Sequence, residues 1–153
     1  MQDKCTFEYA IIRVVPKVER EEFFNVGVIL FSKRKKYIEM KYHIDPEKLK
    51  AFSPDIDLDQ LNEYLNAWKL VCLGEPSGGP IGKMELPDRF RWLTSSRSTI
   101  IQSSKTHPGL CHDPQKELED IFEKYIKASF NPVTDATFLT GPELKFYYMN
   151  DEH

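Results

Sequence analysis

His107, Cys111 and His112 place two imidazoles and a thiol in one short segment. Three guanidinium groups, Arg89, Arg91 and Arg97, precede them in the stretch from Asp88 to Pro114. An imidazole beside a thiol can take its proton and leave a stronger nucleophile. On that chemistry His107 and Cys111 are the candidate catalytic pair. The same pair, four residues apart, would suit zinc only on one helical turn or in a tight loop, and no second ligand pair follows. Pro108-Gly109 reads as a loop, and Cys111 stands beside Leu110 just ahead of a helix signal. A packed, inert thiol is the plainer expectation there. No metal set and no cofactor motif is assigned.

The arginines carry a better argument. Read as a strand, Arg89 to Thr94 alternates, so Arg89 and Arg91 share one face while Phe90 and Trp92 take the other. Arg97 follows at a turn with Ser96, Ser98 and Thr99. Guanidinium forks flanked by hydroxyls and turn amides match a phosphate or a carboxylate. The plainer alternative is internal ion pairing with Glu19, Glu21, Glu22 or Glu85.

A second region, Glu19-Arg20-Glu21-Glu22, leads into Asn25 and Gly27. Its carboxylates are of the type that binds a divalent cation, although a solvated loop is the plainer expectation. Asn25 can bond local backbone, and Gly27 lets another segment approach closely.

Composition narrows the classes. With 153 residues, 41% hydrophobic and 29% charged, the chain fits one globular domain able to bury a core without a metal or disulfide. A net charge of -3 argues against bulk attraction to nucleic acid. Cys5, Cys72 and Cys111 are odd in number and far apart, which suggests reduced thiols in a cytoplasm rather than a disulfide framework. No apolar run is long enough for a membrane span, and MQDKCTFEY lacks a signal-peptide core.

The positioning elements follow from pattern. Cys5 to Val15 is rich in β-branched and aromatic residues and reads as a strand ended by Pro16. Phe23 to Phe31 is nearly all apolar, a strand covered on both faces. A KRKK turn leads to a third strand, Tyr37 to Ile44, completing an antiparallel meander. Asp45-Pro46 signals a helix start, and Leu58, Leu61, Leu65, Trp68 and Cys72 mark an amphipathic helix closed by Gly74. Glu75 to Gly82 reads as a loop, and Arg89–Thr94 and Ser98–Gln102 as short strands. Asp113-Pro114 opens a second amphipathic helix burying Leu118, Ile121, Phe122 and Tyr125. The expected fold is α+β: a mainly antiparallel sheet with two amphipathic helices packed on one face, spanning residues 1–130. Residues 131–153 form a tail, its Phe146-Tyr147-Tyr148 adding an edge strand or draping over the core.

The segments YAIIRVVP, FFNVGVILF, GPIG, RFRWL, RSTIIQ and PGLCHDP together resemble a bacterial family catalogued as domain of unknown function 3037. The resemblance runs from about Tyr9 to Tyr125. Its motif positions fall on Arg13, Glu19, Arg20, Asn25, Gly27, Trp92, Arg97, Ser98, Gln102, His107, Gly109, Cys111 and Asp113. The chain departs from the pattern at Glu21, Ser96, Ser103 and Lys105, and Arg91 stands where histidine is common. The resemblance brings no activity or catalytic residue. It implies a setting beside HipA-like kinases, hence a toxin–antitoxin or kinase-regulating role.

Together these point to a non-enzymatic binding module. Arg13, Arg20, Asn25, Arg91, Arg97, Ser98, Gln102 and His107 would recognise an anionic, for example phosphate-bearing, ligand or the acidic surface of a partner protein. The alternative is a hydrolase or nuclease using His107 and Cys111, or a metal held by carboxylates.

Overall fold

A computed structural model describes residues 4–20, 22–74, 78–97 and 99–127. The meander is present as β1 (Cys5–Val14), β2 (Phe24–Ser32) and β3 (Tyr37–Tyr42). Two later strands, β4 (Ile101–Ser103) and β5 (His107–Cys111), both pair antiparallel with the free edge of β1. The sheet therefore has five strands in the order β3-β2-β1-β4, with β5 beside β4 on β1.

Alternation along β1 sorts its side chains to two sides. Ala10, Ile12 and Val14 enter one apolar cluster with Leu61, Leu65, Trp68, Phe90 and Leu93. Cys5, Phe7 and Ile11 enter another with Leu118, Ile121 and Phe122. The helices thus cover both faces, and the expectation of a single covered face is corrected. The cause is that β1 and β2 are apolar at odd and even positions alike, so each face needs its own layer.

One layer holds α1 (Pro46–Phe52), α2 (Leu58–Leu73) and α4 (Leu86–Leu93). The other holds α5 (Pro114–Phe122), which lies on β2 and β3 and runs into a π-turn at Glu123–Lys127. Helix starts follow their cap residues: Asp45, Asp57 and Asp113 side chains accept from the backbone N–H of Lys48, Gln60 and Gln115 at 3.2, 3.1 and 3.1 Å. Helix α2 stops where Gly74 turns left-handed at φ 75°.

Three local expectations are corrected. Arg89–Thr94 is not a strand but most of α4: Pro87 sits in its first turn, and Leu86, Phe90 and Leu93 share one side at helical spacing. Pro80 and Ile81 lie within a short helical turn, α3 (Gly79–Gly82), rather than in a loop throughout 75–82. Pro108-Gly109 is not a loop but the middle of β5, which tolerates proline because it lies at the edge of the sheet. Ser98 and the 131–153 tail, with its Phe146–Tyr148 expectation, lie outside the described residues.

No helix among the described residues is long and apolar enough to cross a membrane.

Candidate functional site

The sheet register builds the first part of the site. In β2 one extra residue, Val26, is inserted against β1, because Ile12 pairs with Gly27 while Arg13 pairs with Asn25. This bulge changes the side on which the following residues project. Val26 and Phe24 join the α2 side, and Asn25 projects to the α5 side, directly across from Arg13. On the other edge of β1, Gln102 of β4 also pairs with Arg13. Asn25, Arg13 and Gln102 therefore form one polar row over three strands, with opposed Cβ atoms at roughly 5 Å spacing.

Gly27 belongs to the same bulge. A Cβ there would come within 2.7 Å of the Lys41 carbonyl and 2.8 Å of Tyr42 Cβ, so the expected close approach is realised by β3.

Local contacts hold the row in place. The Arg13 guanidinium carbon lies 3.9 Å from the centre of the Phe23 ring. Gln102 donates through Nε2 to the Thr99 carbonyl at 2.9 Å, which leaves its carbonyl end pointing elsewhere. Asn25 Oδ1 is buried and accepts no hydrogen bond among the described residues.

His107 lies on the same face but further along. It opposes Tyr9, and the two rings meet at a tilt of 34° with centroids 5.1 Å apart. From Tyr9 to Arg13 is four strand residues, or ~13 Å. Between them Ser104 closes the gap between β4 and β5. Its hydroxyl accepts from the Ile11 N–H at 2.8 Å, doing the work of a ladder carbonyl. Nothing in the sequence marked Ser104; its signal is burial of a polar side chain, visible only in the fold.

The later arginines go elsewhere. Arg89 and Arg91, two apart on a helix, point in different directions. Arg89 donates to the Met84 and Cys72 carbonyls at 2.7 and 3.4 Å, closing the C-terminal end of α2. Arg91 makes a two-pronged bond to Glu8 at 2.7 and 2.9 Å, and this hydrogen bonding lifts its pKa above the usual guanidinium range. Arg97 donates to the Trp92 carbonyl and to Ser95 Oγ, and lies against the Trp68 and Trp92 rings. Burial there lowers its pKa. Arg20 pairs with Glu22 at 3.0 Å on the surface.

Arg91 and Arg97 thus sit on the α2–α4 side, and Arg13, Asn25, Gln102 and His107 on the α5 side. The structure does not bring the two groups together. Internal pairing with a carboxylate does occur at Arg91, with Glu8 as the partner, while Arg89 and Arg97 bind backbone carbonyls.

The catalytic pair is also separated. His107 and Cys111 occupy the two ends of β5, ~13 Å apart along the strand. Cys111 is buried, and burial followed by a hydrogen bond with Cys5 pushes its thiol up to about 12. A thiol in that state is a poor nucleophile at neutral pH. Among the described residues no group of three or more His, Cys, Asp or Glu side chains is placed to hold a metal ion.

An α+β domain with this polar row defines the class, and one comparison places it further. A family model described as a protein of unknown function, DUF3037, matches residues 9–126. The chain belongs to that family. No curated protein and no solved structure gives a match.

Proposed function

We propose that the domain is a binding module which recognises an extended segment of a partner protein on its α5-side face. The observation that carries this reading is the cross-strand row of Asn25, Arg13 and Gln102, with Asn25 Oδ1 buried, on the sheet face that also carries the α5 cluster. Polar groups in such a setting are the informative exception to ordinary burial. Arg13 would take a carboxylate or phosphate on the partner, and the carboxamides of Asn25 and Gln102 would bond groups beside it.

Distance favours a segment over a lone anion. His107 and Tyr9 lie ~13 Å from the row, too far for one phosphate to touch both but within reach of four or so extended residues. The wide separation of His107 from Cys111 supports binding over thiol catalysis. A HipA-like kinase is the partner class suggested by the family resemblance.

The test is a residue-resolved NMR titration of the ¹⁵N-labelled chain with an acidic peptide and, separately, with inorganic phosphate. Peptide should shift Asn25, Arg13, Gln102 and His107 together, while phosphate should shift the Arg13 row alone. Gln102→Ala should keep the fold and lose the peptide shifts. Shifts confined to the Arg91 and Arg97 side would end the proposal. Capture of a HipA-like kinase by the wild-type chain and by Gln102→Ala alike would place the contact elsewhere.

A further inference from the structure

Two of the three cysteines, 106 positions apart in sequence, meet in the fold. Cys5 on β1 and Cys111 on β5 are directly opposed partners, with their sulfur atoms 3.8 Å apart and both side chains buried. Ser32 on β2 reaches the same spot, its hydroxyl 3.7 Å from Cys5 Sγ and 3.0 Å from the Thr6 carbonyl. We propose that Cys5 and Cys111 are a disulfide-forming pair, oxidised by a hydroperoxide, and that the bond locks β5 onto β1.

The backbone already satisfies the geometry. Directly opposed residues in an antiparallel pair have Cα atoms roughly 4.5–5.5 Å apart, inside the roughly 4.4–6.8 Å that a disulfide spans. Side-chain rotation is therefore enough to close the remaining gap. Cys72 contributes nothing to the pair, because it belongs to the α2 cluster on the opposite face of the sheet.

Strand β5 is also the element with most to gain. It lies at the edge of the sheet, pairs with β1, and carries Pro108, which has no N–H to give. A covalent tie at its Cys111 end would hold the strand that carries His107 at its other end.

The chemistry balances in two steps. One thiol, as thiolate, attacks the hydroperoxide; the O–O bond breaks, an S–O bond forms, and water or an alcohol leaves with the proton. The second thiol then attacks that sulfur, the S–S bond forms, and the sulfenic oxygen leaves as water. The two sulfurs give up two electrons and the peroxide takes them. Because both thiols are buried, the first step waits on the outward opening of β5.

The full chain is treated with hydrogen peroxide, unfolded, labelled with a maleimide, and weighed intact before and after reduction. The untreated chain should take label on all three cysteines. After peroxide only Cys72 should be labelled, the mass should fall by two hydrogens before labelling, and peptide mapping should show Cys5 joined to Cys111. The oxidised chain should melt at a higher temperature and return to its original value with a reductant. Cys111→Ser should remove both the bond and the shift in melting. Full labelling after peroxide, a bond that includes Cys72, or sulfinic acid at Cys111 in place of a bond would each overturn the proposal. The mapping uses the wild-type chain, so the outcome stands even if Cys111→Ser fails to fold.

Discussion

Arg91 Nη2 lies 2.7 Å from Glu8 Oε2, and its other terminal nitrogen lies 2.9 Å from Glu8 Oε1, so helix α4 is tied to strand β1 by a two-pronged ion pair. The geometry is good, but the Arg91 side chain is 57% exposed and solvent screens the attraction. A double-mutant cycle with Arg91→Ala and Glu8→Gln should give a coupling of ~0.5–1 kcal/mol, shrinking in high salt. A coupling that does not respond to salt would mean the pair is better shielded than its exposure indicates.

Arg97 should prove structural in a different way. Its planar group lies against Trp68 and Trp92 and binds the carbonyl at the end of α4. Arg97→Ala should cost ~1–3 kcal/mol in urea unfolding and change tryptophan fluorescence in the folded state. Arg97→Lys should recover only part of the loss, because an ammonium keeps the charge but not the flat stacking surface. Equal stability for all three chains would remove Arg97 from the scaffold.

Ser104→Ala tests the join between β4 and β5. The substitution leaves the Ile11 N–H without its acceptor inside the sheet, at a cost of ~1–3 kcal/mol. Amide exchange at Ile11 should rise well above that at Ile12 or Ala10. If exchange rises evenly along β1, the effect is global and Ser104 has no special place in the ladder.

The Cys72 thiol sets a dependence on pH. Burial pushes it up from 9.0 to about 12. The folded chain therefore holds this proton more tightly than the unfolded chain does. That share of stability is whole below pH 9.0 and is lost as pH climbs toward about 12. Urea midpoints measured across this window should fall with rising pH, and less steeply for Cys72→Ala. Parallel slopes would show that other groups cause the alkaline loss.

Particular residues show where sequence pattern sufficed. The meander, the caps at Asp45 and Asp113 and the two amphipathic helices are legible because each rests on local chemistry: branched strands, side-chain acceptors, apolar stripes at helical spacing. RFRWL misled because Arg-Phe-Arg-Trp alternates like a strand, while the deciding residues, Leu86, Pro87 and Leu93, lie at or beyond its ends. Pro108-Gly109 misled because a proline is a loop signal except at a sheet edge, and no local pattern reveals which strand is outermost. The site was half legible. Arg13, Asn25, Gln102 and His107 stand out by residue type, but their shared face depends on the pairing of strands far apart in the chain. The Cys5–Cys111 pair and Ser104 depend on the same distant pairing.

The single surplus residue at Val26 decides what each side of the sheet is made of. Without the bulge, Val26 would pair with Arg13 and Asn25 with Val14, and unbroken alternation through β2 would turn the Asn25 carboxamide into the oily layer beneath α2 and swing Val26 and Phe24 out beside Arg13. Inside and outside would trade places at that end of the strand. A strand that ran straight through this point could keep every helix and still lose the polar surface it offers a visitor there.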